Sequence, residues 1–300
     1  MNLATSTTAT LALDQRCTLG EGVLWDAAGA RWLWTDIEGS CLHAWAGPGS
    51  AARRWALPDR LGSFALCRSG RLLLGLAKGL AWGRENGDRF ETSPLMPVEA
   101  AEPRTRINDG RTDRSGNFVF GTFNGAPERR PICGFYQYSR RAGLRRLALP
   151  AVSIANSICF SPDGGTMYFA DTAQGSILQC DYDAERARVA NLREFACVDP
   201  AEGGPDGSVV DSDGCLWNAQ WGAGRVVRYS PQGERLMSVA LAAPHVTCPA
   251  FGGPGLHDLM VASARAEMSA GQLAQAPASG GLFHLHLPGI TGLADALFDD

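Results

Sequence analysis

Four side chains able to hold a hard cation or move a proton recur at one phase of this 300-residue chain: Glu21, Asn108, Asn156 and Asp206. Each lies eight residues ahead of a turn glycine, at Gly29, Gly116, Gly164 and Gly214. The unit they share reads as a loop, a short apolar run, a tight turn ending in glycine and a second apolar run. In the last of the four, Val209-Val210 leads into Asp211-Ser212-Asp213-Gly214, and Cys215-Leu216-Trp217 follows. If such units close into a ring, equal phase gathers these side chains around one opening. Two carboxylates and two carboxamides are oxygen donors that suit calcium, magnesium or manganese, and geometry also admits zinc or iron. Without a cation, two crowded carboxylates repel and one pKa rises. The competing reading is local: Asp and Asn ahead of a strand bond their own backbone and cap turns. That reading suffices for any one of them; four in one phase turn the balance toward a shared site. Asp36, Asp163, Asp171, Asp211 and Asp213 sit at hairpin turns or second-strand ends and are read as turn residues.

The elements that must position these groups are short β-type runs bounded by Gly, Pro, Asp and Asn, with no convincing amphipathic helix. Turn glycines at Gly29, Gly70, Gly116, Gly164, Gly214 and Gly255 are spaced 41 to 50 residues apart. A repeat of that length with four short strands is the period of a propeller blade. The expectation is therefore an all-β fold, a six-bladed β-propeller with about four antiparallel strands per blade, filling residues 1–300 as one domain. A ring of this kind needs a strand from the far end of the chain to close it, and the run 7–13 is predicted to complete the sixth blade. The stretches 85–104 and 125–132 are predicted to be rim loops. The eight-residue offset adds Gly62 and Thr247 to the ring.

A net charge of −4 gives no electrostatic footprint for nucleic acid or an anionic membrane. Nine cysteines, scattered and never in Cys-x-x-Cys spacing, disfavour a zinc-thiolate site and a disulfide framework, and fit a reducing, cytoplasmic compartment. Residues 1–5 lack a basic stretch followed by an apolar run, so no signal peptide is expected, and no apolar run reaches membrane-spanning length. Gly-x-Ser-x-Gly and phosphate-loop strings are absent, and the five histidines are dispersed, so local spacing supports neither a Ser-His-Asp triad nor a histidine-rich metal site. Trp25, Trp32, Trp34 and Trp217 are read as core between blades, and Trp221 as a candidate wall of the mouth.

Several strings resemble the SMP-30/gluconolactonase/regucalcin family: Leu19-Gly20-Glu21-Gly22, Arg106-Ile107-Asn108-Asp109-Gly110, Gly121-Thr122-Phe123, Asn156 with Phe160-Ser161-Pro162-Asp163-Gly164, and Pro205-Asp206-Gly207. Their order and spacing hold from about Leu19 to the C-terminal end. The resemblance implies a six-bladed propeller with one divalent metal ion at the channel mouth, calcium first among the candidates, held by Glu21, Asn156 and Asp206. It implies that Arg106 and Asn108 bind the hydroxyls or the ring of a sugar lactone. It also implies metal-dependent hydrolysis to the aldonic acid, with the ion as Lewis acid and Asp206 accepting a proton from the attacking water. Partners would be a small-molecule lactone, with the chain a monomer or small homo-oligomer. The alternatives are a propeller that binds calcium or another ligand without turnover, and a related propeller esterase. Val23 replaces the family's usual proline, Ser157 stands where glycine is common, and Asn124-Gly125-Ala126-Pro127 lacks an acidic residue that some members carry; these departures leave the sugar preference open.

Overall fold

The turn glycines close hairpins because a left-handed residue is needed at each. Gly70, Gly116, Gly164 and Gly214 take φ of 80°, 83°, 75° and 77°. In the first and sixth units the left-handed residue falls one position later, at Ala30 (φ 48°) and Leu256 (φ 54°). The computed structural model describes residues 5–300. Residues 1–4, on which most of the signal-peptide expectation rests, lie outside the described residues.

The strands form six sheets whose inner strands touch one another in sequence and close, last to first, into a ring. The inner strands are Gly20–Asp26, Leu61–Leu66, Thr105–Thr112, Ala155–Phe160, Gly204–Val210 and Val246–Gly252. This is the expected six-bladed propeller, with four antiparallel strands per blade. Among the described residues the buried apolar side chains fall into six clusters, one at each blade-to-blade interface. Trp217 packs between blades five and six, and Trp32 and Trp34 between six and one, as expected of core tryptophans.

Three expectations are corrected. The closing run 7–13 is two strands. Thr10–Leu13 does complete blade six beside Leu282–His286, but Thr5–Thr8 adds a fifth, parallel strand to blade five beside Arg235–Ala240. Ala9, 4% exposed, is the crossing point: its N–H donates to Ala240 O (3.0 Å) and its side chain enters the core between those blades. A buried small residue lets the chain step from one sheet to the next. Second, most of the stretch 85–104 is an outer hairpin of Gly79–Asn86 with Arg89–Pro97, not a rim loop. Its polar alternation is that of strands with one face in solvent. Third, a six-residue helix, Ala270–Gln275, interrupts blade six; its capping box, Ser269 with Gln272, was legible in the sequence. The stretch 125–132 carries no strand, as expected.

The chain after blade six crosses the channel end opposite the four ring residues. Ser212 N–H donates to Thr291 O (2.9 Å), Gly292 N–H to Leu256 O (2.7 Å) and Phe298 N–H to Leu66 O (2.7 Å). Phe298 is fully buried between blades two and three, stacked on Tyr138. Asp295 forms a largely buried ion pair with Arg111 of the third inner strand.

Candidate active site

The mouth is built by a repeated irregularity. Every inner strand slips register near its start: between Glu21 and Leu24, Leu61 and Ser63, Ile107 and Gly110, Asn156 and Cys159, Pro205 and Ser208, and Val246 and Pro249. A β-bulge leaves extra residues unpaired and re-aims their side chains. Asn108, Asp206 and Thr247 open the bulges of blades three, five and six. Glu21 and Asn156 instead sit just ahead of bulges that begin with Gly22 (φ 60°) and Ser157 (φ 61°). The shared sequence phase therefore hides a one-residue difference in blades one and four. At Gly62 a Cβ would lie 2.3 Å from Ile107 O, so glycine there permits close approach of blade three and contributes no side chain.

Glu21 and Asp206 come within hydrogen-bonding reach of each other. Burial, then the neighbouring Asp109 charge, lifts Glu21 to about 8, offset in part by the Gly22 N–H and Arg106. Burial, then Glu21 and Asp109, push Asp206 well above the usual carboxylate range. Asp109 is raised as well, chiefly by burial, although it accepts a 2.7 Å bond from Ile158 N–H. Asp109 is the residue that the ring argument missed. It follows Asn108 inside the bulge, where two consecutive residues escape normal alternation.

The amides are locked in a directed chain. Thr172 Oγ donates to Pro205 O (2.8 Å), so it must accept from Asn156 Nδ2 (2.8 Å). That turns Asn156 Oδ1 toward Asn108 Nδ2 (3.1 Å), while Asn108 Oδ1 accepts from Arg106 Nη1 (2.6 Å). Asn108 Nδ2 also donates to Ala155 O (2.9 Å). Arg106 is 6% exposed, lies 4.4 Å from the Phe123 ring centroid and has a buried Nε with no partner; burial lowers its pKa to about 10. Ser157 Oγ donates to Asp206 O (2.5 Å), and Asn218 Nδ2 donates to the same carbonyl (3.2 Å), so the Asp206 backbone is held from two sides. Thr247 turns away, donating to Gly20 O (2.6 Å). Trp221 stands at the same end, stacked on His245 at 4.1 Å.

Most of the acids assigned to turns do work of that kind. Asp36 accepts from the N–H groups of Thr18 and Leu19 (2.9 Å each), and Asp171 from those of Ser153 (2.9 Å) and Ile154 (3.1 Å), clamping the loops that lead into Glu21 and Asn156. His284 and His286 share one partner, Asp258, at 2.9 Å each, away from the mouth. All nine cysteines are free. No described helix is long and apolar enough to cross a membrane.

The site residues fit a divalent cation by their chemistry. Two carboxyls in contact, a third beside them and an oriented carboxamide oxygen form a hard, electron-rich set. Among the described residues none of the three acids forms an ion pair, whereas Asp295 and Asp211 at the opposite end do. No cluster of three or more His, Cys, Asp and Glu groups fit to hold a metal occurs among the described residues, so an ion here would depend on the amide as well as the acids.

Residues 19–265 match the SMP-30/Gluconolactonase/LRE-like region. The chain is 46% identical over 277 residues to L-arabinolactonase of Azospirillum brasilense, covering 92% of this chain and 90% of that protein. It is 32% identical over 296 residues to 6-deoxy-6-sulfogluconolactonase of Pseudomonas putida, covering 95% and 96%. The solved structure of regucalcin from Agrobacterium tumefaciens, described as a calcium-binding protein, superposes with a TM-score of 0.91 at 29% identity, covering 99% of both chains. With most of its length matched by that family, the chain belongs to the SMP-30/gluconolactonase/LRE-like family.

Proposed function

We propose that this protein is a sugar lactonase, a hydrolase that opens the ring ester of an aldonolactone to the aldonic acid with one divalent cation at the channel mouth. The observation that carries this reading is the closeness of half-buried Glu21 to buried Asp206, two acids with no basic partner among the described residues. Glu21, Asn156 and Asp206 would hold the cation, with calcium the first candidate and zinc, manganese, magnesium or iron(II) as alternatives. When bound, the cation supplies Lewis acidity toward the lactone carbonyl.

The chain's own groups account for the rest. Asp206, its backbone pinned by Ser157 and Asn218, accepts the proton of the attacking water. Arg106, held by Asn108 Oδ1 and the Phe123 ring, brings its guanidinium charge to a substrate oxygen. Asn108, fixed by Arg106, Asn156 and Ala155, presents its remaining Oδ1 lone pair to a ring hydroxyl. No covalent intermediate is needed, in keeping with the missing nucleophile motif. A small polar mouth suits a polyol lactone better than an apolar ester. L-Arabinolactone is the first substrate to test, because the 46% identical relative is named for it.

The deciding experiment is a pH-stat assay on metal-stripped protein. L-Arabinolactone, gluconolactone and other aldonolactones are offered with calcium, magnesium, manganese, zinc or iron(II) added back singly. Acid release that returns with one ion establishes the lactonase and identifies that ion. Cation binding without acid release from any lactone replaces this reading with a ligand-binding propeller.

A further inference from the structure

A second opening lies at the other end of the channel. It is a cavity of about 800 Å³ between blades one and two, bordered also by blade six and the C-terminal segment. Its accessible walls come from half-buried Trp25 of blade one and Leu256 beyond blade six's first strand, with Leu33, Leu42 and Trp55 behind them at 1%, 0% and 5% exposed. Blade two lines the cavity from Leu66 on its first strand to Phe90 on its fourth.

Its openness has a structural cause. The crossing C-terminal segment plugs the adjacent interface, between blades two and three, with Phe298. Beside blades one and two it brings Ala294, Asp295 and Leu297, and Leu297 stays 40% exposed on the rim of the slot. The cavity's volume falls in the range of small-molecule sites.

The charges around it are already matched. Arg31 bonds Asp26 (3.0 Å) and Glu85 (2.8 Å), Arg71 bonds Asp300 (2.7 Å), Arg68 pairs with Asp299 (3.4 Å) and Asp295 pairs with Arg111. No lining charge is left to claim an ionic head group, and the aromatic rings at both ends of the slot favour a flat or extended apolar body.

We infer that this slot is a binding site for a neutral, predominantly apolar small molecule, separate from the channel mouth. The test uses N-phenyl-1-naphthylamine, a neutral fluorescent probe, on the full chain. Saturable one-to-one binding is expected, and it persists in Asp206→Asn, which alters only the other end. Leu66→Trp, which fills the opening from its half-buried wall, weakens binding at least tenfold with the circular dichroism spectrum retained. Ala28→Trp on the exposed rim turn, a change that does not burden folding, weakens it several-fold. The anionic analogue 1-anilinonaphthalene-8-sulfonate binds at least tenfold more weakly than the neutral probe. Absence of saturable binding, wild-type affinity in both folded variants, or equal affinity for the anionic probe overturns the assignment.

Discussion

The two ends of the channel treat buried acid in opposite ways. Asp211 follows Asp206 by five residues on the same run of chain. It receives N–H groups from Asp213 and Cys215 (3.0 Å each), the Trp217 indole (2.9 Å) and the Arg228 guanidinium (2.8 Å). Nearby, Asp295 is neutralised by Arg111, whose own charge is strengthened by that partner against the cost of burial. At the mouth, Asp206 meets Glu21 and Asp109 instead, and both ring acids are pushed up toward protonation. A carboxylate that serves the fold is saturated with donors, because an unpaired buried charge is costly. One left short of donors and set against a second acid is held ready for something the chain does not itself supply. The contrast between these ends is the physical basis for proposing chemistry at the mouth and stability at the tail.

The sharpest way to break the contrast is Asp206→Asn. It should lower kcat about 1000-fold, within the span of general-base catalysis, while the thermal midpoint does not fall, because one of three crowded acids is neutralised. Wild-type kcat in a folded variant would remove Asp206 from the mechanism. The converse substitution, Asp295→Ala, strands Arg111 and should cost about 3 kcal/mol in urea unfolding. Lactone turnover by its folded fraction should be unchanged; a loss of turnover would show that the ends are coupled.

A third measurement separates acid sensitivity from both ends. His43 is 2% exposed and stacked on Trp34, and burial lowers its pKa from 6.5 to about 4. The folded state favours the neutral ring, so its contribution is complete above pH 6.5 and is lost as pH falls toward 4. By pH 5 the loss is about 2 kcal/mol. His43→Gln should remove that part of the pH dependence, read as the difference between the two urea-midpoint profiles; identical profiles would refute it. The smallest effect is expected from Ser157→Gly. Glycine relieves the left-handed φ but loses the bond to Asp206 O, so stability should move by less than about 1 kcal/mol. Turnover should nonetheless fall several-fold as the Asp206 backbone loosens, and unchanged kinetics would show that Asn218 alone suffices.

The turn glycines and the ring of acids and amides were legible because each is written within about eight residues of chain. Turn chemistry is local, and six copies of it made the blade count readable. Asp109 was not legible, since only a bulge brings two neighbouring residues to the same opening. The splitting of the closing run at Ala9 was likewise invisible, because it depends on a core that two distant blades create. The hairpin at Gly79–Asn86 and Arg89–Pro97 was misread for another reason: its exposed strands carry the polar composition of a loop.

By itself the sequence determined the fold class, the order of the blades and which polar side chains share a phase, because those depend on local turns and alternation. Tertiary structure alone decided which of these groups touch. It placed Asn108 against Asn156 and Glu21 against Asp206, and it carried Asp295 across 184 residues of sequence to Arg111. No local pattern encodes a contact of that separation, because it exists only once the ring has closed and the chain has crossed its far end.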